Sequence, residues 1–493
     1  MIILPLLLAL WLVASLSRTK RYTSALLPPS PPRLPVIGNL HQLGEHAHQS
    51  LRSLALTHGP LMLIHLGSVP AYVVSSAEIA REMLKTHDII FSNRSDSYIF
   101  RRLLYDGKDI LLAPYGEYWR HIRAIGVLQL LSSRRVQSYQ AVREEEIALM
   151  IENIKGSDSS IDLSKMLGTL TNDILCRIAF GKKYSQGEGE EKFKKLFDEF
   201  GELLGVFNIG EYIPWLKWLN HLNGLNARVD RNFLEFDKLL DQIFDDHIAT
   251  RSEEGPKEHD QMDLLDVLLD NQHDAGITDV TIARTNMKAI LADMFAGGSD
   301  TTYAALEWAM TELVKHPTAM TKVQKQIRQI VGERRSVTKE DLQKMDYLKA
   351  VIKETLRMHP PIPLMPRISS QQVKLHGFNI PAHTRVFINI TAIGRDAERW
   401  DEPDEFRPER FLDAGACDSR AQEFDFMPFG GGRRGCPGVT FATAVMELVL
   451  ANLLHCFDWS LPDGARGEEL DVEETSGLSV HKKNPLILVA YCY

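Results

Sequence analysis

The chain has 493 residues, of which 44% are hydrophobic and 25% are charged, and its formal net charge is −9. This length predicts either two domains or one large one, with ample apolar material for a core. Charges of both signs are mixed without a long basic block, which argues against nucleic acid as a partner. The five cysteines are few and widely spaced. They argue against a disulfide framework and indicate a reducing compartment.

The N-terminus is predicted to be a membrane anchor. Residues Ile2–Leu16 are apolar apart from one serine, and three basic residues follow by Arg21. A helix of this length reaches only about 22 Å, against a hydrocarbon core of roughly 30 Å. A cleaved signal peptide would carry basic residues before the apolar run. Here they follow it, which predicts a lumenal N-terminus, a cytoplasmic body and an uncleaved anchor over residues 1–17.

Prolines dominate the next segment, Pro28–Asn39, which reads PPSPPRLPVIGN. Proline at this density prevents helix formation and favours a stiff, extended linker. We expect residues 18–39 to form a basic and proline-rich hinge, which acts as a spacer and sets the pose of the body on the membrane. Residues 40–493 are then predicted to form a single domain, and no internal repeat divides them.

Most of the remaining chain is predicted to be helical, because apolar positions recur at helical spacing. Short strands are predicted at Leu61–Leu66, Ala71–Ser75, Val373–Ile380, Arg385–Ile390 and Leu486–Tyr491. The charged stretch Arg251–Gln261 is predicted to be a solvated loop. The predicted fold class is therefore mainly α with small β-sheet regions, an α+β fold.

One long helix is predicted from about Thr278 to His316, ending before Pro317. Its middle reads AGGSDTT, and each of the two glycines costs about 1 kcal/mol relative to alanine in a helix interior. The glycines either allow close packing against a neighbouring helix or mark a local opening of the hydrogen-bond ladder beside a ligand. In the second case Asp300 and Thr301 would be a proton-handling pair.

A cluster of glycines surrounds one cysteine in FGGGRRGCPG, Phe429–Gly438. A lone cysteine is most often a small buried hydrophobe. However, Pro437 and the apolar run Val439–Leu454 predict a helix N-terminus directly after Cys436, which would favour the thiolate. A thiolate can be a nucleophile or a metal ligand, but zinc would need further Cys or His nearby. Arg434 suggests an anionic group on whatever the sulfur binds, and haem offers both an iron and two carboxylates.

The motifs of this chain resemble those of the cytochromes P450. Phe429-x-x-Gly432-x-Arg434-x-Cys436-x-Gly438 is similar to the haem-binding signature of that family. Four further motifs follow the family's order: Trp119-Arg120-His121-Ile122-Arg123, Gly297-Gly298-Ser299-Asp300-Thr301-Thr302, Glu354-Thr355-Leu356-Arg357 and Pro408-Glu409-Arg410-Phe411. The E-x-x-R motif alone is weak, since Glu and Arg at i, i+3 form a common helix pair. The ordered set covers the whole chain and resembles plant microsomal members, of the A-type and similar to family 71.

The resemblance implies the cytochrome P450 fold and a role for each matching residue. Cys436 would be the axial ligand of the iron in haem b. The other residues implied in haem binding are Trp119, Arg123, Arg367, Phe429, Gly432, Arg434 and Gly438. Asp300 and Thr301 would deliver protons during dioxygen activation. Glu354, Arg357 and Arg410 would form a buried charge network that braces the sulfur side, with ordinary surface pairing as the alternative.

The resemblance also implies regions that line a substrate pocket. The candidate lining residues are Ile110, Leu111, Asp293, Ala296, Gly297, Ile362, Leu364 and Leu478. A plain core position is an equal alternative for each leucine or isoleucine. Tyr212–Trp215 and Trp218 are assigned either to the membrane interface or to packing.

The implied protein is a haem-thiolate monooxygenase in the endoplasmic reticulum membrane, with its catalytic domain in the cytoplasm. It would insert one atom of dioxygen into a small lipophilic plant metabolite of terpenoid, alkaloid or phenolic type. Electrons would come from NADPH through NADPH-cytochrome P450 reductase, with cytochrome b5 as a further donor. Arg120, His121 and Arg433 are candidates for the basic docking patch.

Two alternatives stay open at this point. One is an enzyme of the same fold that dehydrates or rearranges its substrate without net oxygen insertion. The other is a haem-binding protein without catalysis. The Asp300–Thr301 pair argues against both, because neither needs a route for protons to oxygen.

Overall fold

The computed structural model describes residues 27–95, 97–157, 160–184, 190–255, 261–271, 282–412 and 423–493. The predicted anchor, residues 1–17, lies outside the described residues. The first residues of the predicted long helix, 278–281, also lie outside the described residues.

Helices make up most of the described chain. In chain order they are α1 (Ala47–His58), α2 (Ala77–Arg81), α3 (Tyr98–Leu103), α4 (Glu117–Ala124), α5 (Ser133–Ser138), α6 (Gln140–Lys155), α7 (Leu163–Phe180), α8 (Glu190–Gly205), α9 (Ile209–Tyr212), α10 (Leu219–Leu222), α11 (Leu225–Glu254), α12 (Leu264–Asp270), α13 (Arg284–Gly298), α14 (Asp300–Lys315), α15 (Pro317–Val331), α16 (Lys339–Gln343), α17 (Asp346–Met358), α18 (Ile390–Gly394) and α19 (Val439–Cys456). Short π-helical turns extend α2 and α4 over Glu82–Thr86 and Ile125–Leu130.

The strands of the described chain form small sheets. They are β1 (Leu61–Leu66), β2 (Val69–Val74), β3 (Ile161–Asp162), β4 (Leu364–Ile368), β5 (Val373–Leu375), β6 (Phe378–Ile380), β7 (Arg385–Asn389), β8 (Phe457–Ser460) and β9 (Ile487–Cys492). The largest sheet has the order β1-β2-β7-β4, a second has the order β3-β9-β8, and β5-β6 is a hairpin. The predicted fold class, mainly α with small sheets, is confirmed.

Two predicted segments differ from the structure. The strand predicted over Val373–Ile380 is the β5–β6 hairpin, because His376 and Gly377 both adopt positive φ, at 47° and 83°, and turn the chain back. The loop predicted over Arg251–Gln261 begins later, because α11 continues to Glu254 and ends at Gly255, whose φ is 81°. A charged face on a long helix accounts for the polar composition of that helix end.

The large sheet is buried on both faces. Leu61 and Leu63 of β1 pack into one apolar cluster, whereas Met62 and Ile64 pack into a second cluster on the opposite face. Alternation along a strand sends neighbouring side chains to opposite faces, so a strand covered on both sides reads as a continuous apolar run. β4 pairs with β7 in this sheet and places Arg367 opposite Val386.

The proline-rich segment packs on this sheet from its first described residues. The Leu63 N–H donates to the Pro29 carbonyl at 2.9 Å, and the His65 N–H donates to Asn39 Oδ1 at 2.8 Å. Asn39 is fully buried. The part of the predicted hinge from Pro29 to Asn39 is therefore a strap along β1 rather than a spacer.

The helical core surrounds α14, which packs against α7, α17 and α19. In the part of the chain that the structure describes, α19 is the one helix long and apolar enough to cross a membrane, and 61% of that window is buried. A helix that is buried in the core of its own protein has the same apolar composition as a membrane-spanning helix.

Candidate functional site

The loop Phe429–Gly438 presents the Cys436 sulfur just before α19. The Cys436 N–H donates to the Phe429 carbonyl at 2.9 Å, and the Gly438 N–H points at Cys436 Sγ at 3.3 Å. Gly432 has φ of 66°, and a β carbon there would lie 2.8 Å from the Leu84 carbonyl oxygen. Gly438 has φ of −90°, which any residue adopts. The tight turn therefore requires glycine at position 432 but not at position 438.

The surroundings of Cys436 act on its pKa in both directions. Desolvation by the surrounding loop raises the pKa, and the Gly438 N–H together with the guanidiniums of Arg123 and Arg94 opposes that rise. A bound metal cation deprotonates a coordinating thiol, so this sulfur suits a metal ligand better than an unassisted nucleophile.

Four arginines lie close to this loop. Arg367 and Arg434 are buried, and Arg94 and Arg123 are half-buried. Burial is the largest cause that lowers the pKa of each one, to about 10 for Arg94 and about 9 for Arg434. The charges of Arg94 and Arg434 also lower the pKa of Arg367.

These arginines have too few anionic partners. Within the described residues, none of the four forms an ion pair with a carboxylate. The Nε atoms of Arg94 and Arg367 are buried without a hydrogen-bond partner there. Buried charges are normally paired, because desolvating an unpaired one is costly. The cluster therefore fits a bound group with two carboxylates, and haem is such a group.

Arg94 was missed by the sequence analysis. It belongs to the loop between α2 and α3, and no motif marks that loop. Its proximity to Arg123, Arg434 and Cys436 follows only from the tertiary fold.

Two of the predicted haem residues bind backbone carbonyls. Arg434 donates to Ser92 at 2.7 Å and to Ile110 at 2.9 Å, and it also binds the Ala113 carbonyl. The Trp119 indole N–H donates to the Ile110 carbonyl at 2.9 Å, and the Arg434 guanidinium lies 4.1 Å from the Trp119 ring centre. These contacts order the loop before α4. Direct binding of a carboxylate by either side chain stays a prediction.

Arg123 and Arg367 also donate hydrogen bonds to backbone carbonyls. Arg123 Nη2 donates to the Gly435 carbonyl at 2.5 Å, which joins α4 to the cysteine loop. Arg367 is fully buried on β4, where Nη1 donates to the Pro366 carbonyl at 2.9 Å. Both remain candidates for carboxylate binding.

The predicted long helix is interrupted at Ser299, between α13 and α14. The Thr301 hydroxyl donates to the Gly297 carbonyl at 2.7 Å. A β carbon on Gly298 would lie 3.5 Å from Leu175 of α7, whereas one on Gly297 would meet nothing within 4 Å. The two glycines thus serve different purposes: Gly298 lets α7 approach, and Gly297 faces open space. The helix ends at Lys315, before the proline, as predicted.

Asp300 and Thr301 are neighbours in sequence but bind different partners. Asp300 Oδ1 lies 2.9 Å from His481 Nε2. Burial raises the pKa of Asp300, but hydrogen bonds from His481 and Ser479 and the charge of His481 bring it below the ordinary value. Asp300 is therefore a carboxylate at neutral pH. The sequence analysis missed His481, which lies far along the chain in a loop without a motif.

Asp293 binds the loop before α4. Its Oδ2 accepts the backbone N–H groups of Ile110 at 2.5 Å and Leu111 at 3.3 Å. Burial raises the pKa of Asp293 well above its usual range, and the neighbouring Asp109 charge adds to that rise. Burial also raises the pKa of Asp109, to about 6. Asp293 therefore fixes the loop before α4, and its role in lining a pocket stays a prediction.

The other candidate pocket residues divide by burial. Ile110 is 5% exposed and belongs to the main core. Gly297 is exposed, and the remaining five are half-buried: Leu111, Ala296, Ile362, Leu364 and Leu478. Their half-buried state suits a pocket lining, and that role stays a prediction.

The structure brings Glu354, Arg357 and Arg410 together. Glu354 accepts two hydrogen bonds from Arg357, both of 2.8 Å, and one from Arg410 of 3.0 Å. The three residues are at most 8% exposed. The alternative of ordinary surface pairing therefore does not hold.

Arg433 is bound within the protein. Its Nε pairs with the Asp88 carboxylate, and its Nη1 donates to the Tyr115 hydroxyl at 2.9 Å. Arg120 is exposed. Of these two docking candidates, Arg120 thus presents its charge at the surface, whereas the charge of Arg433 is largely neutralised by Asp88.

Comparisons with known proteins agree with this geometry. The model of the family described as Cytochrome P450 matches residues 28–489. Cytochrome P450 736A117 of Prunus mume is 54% identical over 491 residues, which cover 98% of this chain and 93% of the relative. Cytochrome P450 71A25 of Arabidopsis thaliana is 48% identical over 469 residues, or 94% of each chain. Norfluorocurarine oxidase of Strychnos sp is 46% identical over 496 residues, or 99% of this chain and 96% of the relative. With matches over nearly its whole length, the chain belongs to the cytochrome P450 family and is a P450 monooxygenase.

Proposed function

We propose that this enzyme holds haem b through the Cys436 sulfur and inserts one oxygen atom into a small lipophilic specialised metabolite. The observation that carries the proposal is the cluster of four buried or half-buried arginines around the cysteine loop, which suits the two haem carboxylates. Arg94, Arg123, Arg367 and Arg434 would hold those carboxylates. When bound, a thiolate-ligated haem supplies the iron at which dioxygen is activated.

The chain's own residues would then handle protons. Activation of dioxygen consumes two protons for each oxygen atom that leaves as water. The Thr301 hydroxyl donates its proton to the Gly297 carbonyl, so its oxygen can accept a hydrogen bond from water. Asp300, as a carboxylate, can take a proton from solvent and pass it to that water. We assign the pair to proton delivery on these grounds.

The apolar candidate lining residues would suit a lipophilic substrate. Leu111, Ala296, Ile362, Leu364 and Leu478 would supply its walls. The name of the Strychnos relative says that it oxidises norfluorocurarine. By analogy we assign this enzyme a plant specialised metabolite of terpenoid, alkaloid or phenolic type.

Electrons would come from NADPH through cytochrome P450 reductase, with cytochrome b5 as a second donor. A redox partner follows from the family, and the exposed Arg120 offers one cation for docking. We infer that the reductase approaches the face that carries α4 and the cysteine loop, since this route to the site is short.

An exposed apolar surface supports membrane attachment. Phe207, Trp215, Trp218 and Leu222 are 44% to 74% exposed. This surface adjoins the turn between β1 and β2, because the Ser68 N–H donates to the Tyr212 carbonyl at 2.9 Å. The N-terminal strap reaches the same turn through Gly38, which bridges to Leu66. We propose that residues 1–17 anchor the chain in the endoplasmic reticulum membrane beside this surface, with the catalytic domain in the cytoplasm.

The deciding experiment is the absorption spectrum of the reduced protein under carbon monoxide. Thiolate ligation predicts a strongly red-shifted Soret band that is lost in Cys436→Ser. Cys456→Ser, at the other end of α19, is the matched control and should keep the band. A band at the position typical of histidine ligation, or none in folded protein, would contradict the proposal. Product formation without NADPH would instead favour dehydration or rearrangement.

A further inference from the structure

The segment Ser479–Lys482 is tied to α14 by several polar contacts. His481 Nε2 lies 2.9 Å from Asp300 Oδ1. The Trp308 indole N–H donates to the Val480 carbonyl at 3.0 Å, and the Lys482 N–H donates to Glu307 Oε2 at 3.0 Å. The last two contacts use backbone groups of the segment, so they fix its position without the His481 side chain.

His481 is held in one orientation. Its ring stacks on Tyr303 of α14 with the ring centres 4.7 Å apart. Its backbone N–H donates to the Thr475 hydroxyl at 3.1 Å. The His481 side chain is 15% exposed, whereas that of Asp300 is 46% exposed. The imidazole is thus a fixed group behind a more accessible carboxylate.

The charges around this pair favour its ionised state. His481 faces Asp300, Glu307 and Tyr303, and Asp300 raises the pKa of His481 against the effect of burial. Asp300 faces His481, Ser479 and Asp198 of α8, and the negative charge of Asp300 contributes to the raised pKa of Asp198. His481 is the cation among these groups. It can therefore keep Asp300 ionised although a second acid, Asp198, lies nearby.

We propose that His481 is a positioning residue for proton delivery. As an imidazolium it keeps Asp300 ionised and aimed at the Ser479–Lys482 segment, ready to accept a proton from solvent. This inference rests on the proposed role of Asp300 and Thr301. The role of His481 is electrostatic, so another cation at position 481 should replace it and a neutral side chain should not.

The test uses the full chain with its reductase in phospholipid vesicles and needs no identified substrate. Without substrate, one NADPH and one proton reduce dioxygen to hydrogen peroxide, whereas two NADPH and two protons reduce it to two waters. The peroxide formed per NADPH therefore reports how well protons reach the site. It is measured from pH 5.5 to pH 9 for wild type, His481→Gln and His481→Arg, each checked for an intact carbon monoxide band. Ser479→Ala is the control that removes an uncharged contact to Asp300.

Wild type and the variants are expected to differ in how the peroxide yield changes with pH. In wild type the peroxide yield is low and rises at alkaline pH, where His481 loses its proton. In His481→Gln the yield rises several-fold, and the pKa of Asp300 moves up, which adds an acidic limb. His481→Arg should keep the low yield and lose the alkaline rise. Ser479→Ala keeps the cation at position 481 and should change the yield much less than His481→Gln does.

A second readout does not depend on catalysis. The pKa of His481, followed by NMR of ¹³C-labelled histidine, should fall in Asp300→Asn. An unchanged pKa, a wild-type profile in His481→Gln, or equal damage in the Gln and Arg variants would overturn the inference. Wild-type protein with a normal carbon monoxide band but no NADPH-dependent oxygen uptake would instead refute the proposed function.

Discussion

Arg357 binds Glu354 through two hydrogen bonds of 2.8 Å, and both side chains have 0% exposure. The remaining donors of Arg357 reach the carbonyls of Gly394, Pro403 and Glu405. The pair is therefore fully satisfied inside the protein. Removing either partner leaves the other as an unpaired buried charge.

We expect Glu354→Gln to lower the free energy of unfolding by about 3–5 kcal/mol, because Arg357 and Arg410 would lose their carboxylate. Urea unfolding followed by circular dichroism measures the loss. The control is Lys322→Ala, which removes an exposed ion pair with Glu409 and should cost less than about 1 kcal/mol. Similar losses for the two variants would contradict the buried network.

Thr301→Ala should keep the carbon monoxide band and release several-fold more hydrogen peroxide per NADPH. The reason is loss of the hydroxyl that can hold the proton-donating water. Thr302→Ala is a close control, since its buried hydroxyl makes the equivalent bond to Gly298 at 2.8 Å. It should cost about 1 kcal/mol of stability without a change in peroxide yield. Tight coupling in Thr301→Ala would count against the role of Thr301.

Gly432→Ala should reduce the fraction of protein that binds haem. Positive φ costs a non-glycine residue about 1–2 kcal/mol, and the new methyl group would meet the Leu84 carbonyl. Gly438→Ala should be tolerated, because its nearest new contact is Cys436 Sγ at 3.7 Å. Haem content per protein, from the carbon monoxide band, distinguishes them. An equal loss of haem in both variants would show that the positive φ at position 432 does not determine the geometry of the loop.

Exchanging Asp88 and Arg433 tests whether Arg433 acts within the protein. Arg433→Glu places two carboxylates together and should lower the melting temperature and haem retention. The double variant Asp88→Arg, Arg433→Asp restores an ion pair and should recover both. If reductase docking were the main role, the double variant would still raise the apparent KM for reductase.

Asp293→Asn should make stability less dependent on pH. Native Asp109 and Asp293 hold protons more tightly than they do in the unfolded chain, so stability falls as pH rises from about 4 to beyond 6. For Asp109, a shift from 3.8 to about 6 corresponds to roughly 3 kcal/mol. Melting temperatures at pH 5 and pH 8 should therefore differ less in the variant. An equal loss of stability at both pH values would contradict the raised pKa of these two carboxyls.

The sequence predicted features that depend on short spacing. Phe429, Gly432 and Cys436 lie within eight residues, so their local geometry follows from turn and helix chemistry. The same holds for Glu354 and Arg357, one helical turn apart. The end of α14 before Pro317 followed from proline chemistry.

Contacts between distant segments could not be read in this way. Helical spacing places Asp293 on one face with Ala296, but it does not say that the Asp109 loop covers Asp293. Arg94 and His481 reach the site from loops without motifs. Their partners are tens to hundreds of residues away, so only tertiary packing reveals them.

The pairing of β2 with β7 has a consequence for synthesis. Val74 pairs with Ile388, which is 314 positions later (388 − 74). At 5–20 residues per second, the ribosome needs roughly 15–60 s to make that stretch. Until then the edge of β2 that later pairs with β7 has no strand beside it, and such edges promote aggregation. We expect the nascent chain to need chaperone protection during this interval, and the yield of recombinant protein to depend on chaperone supply.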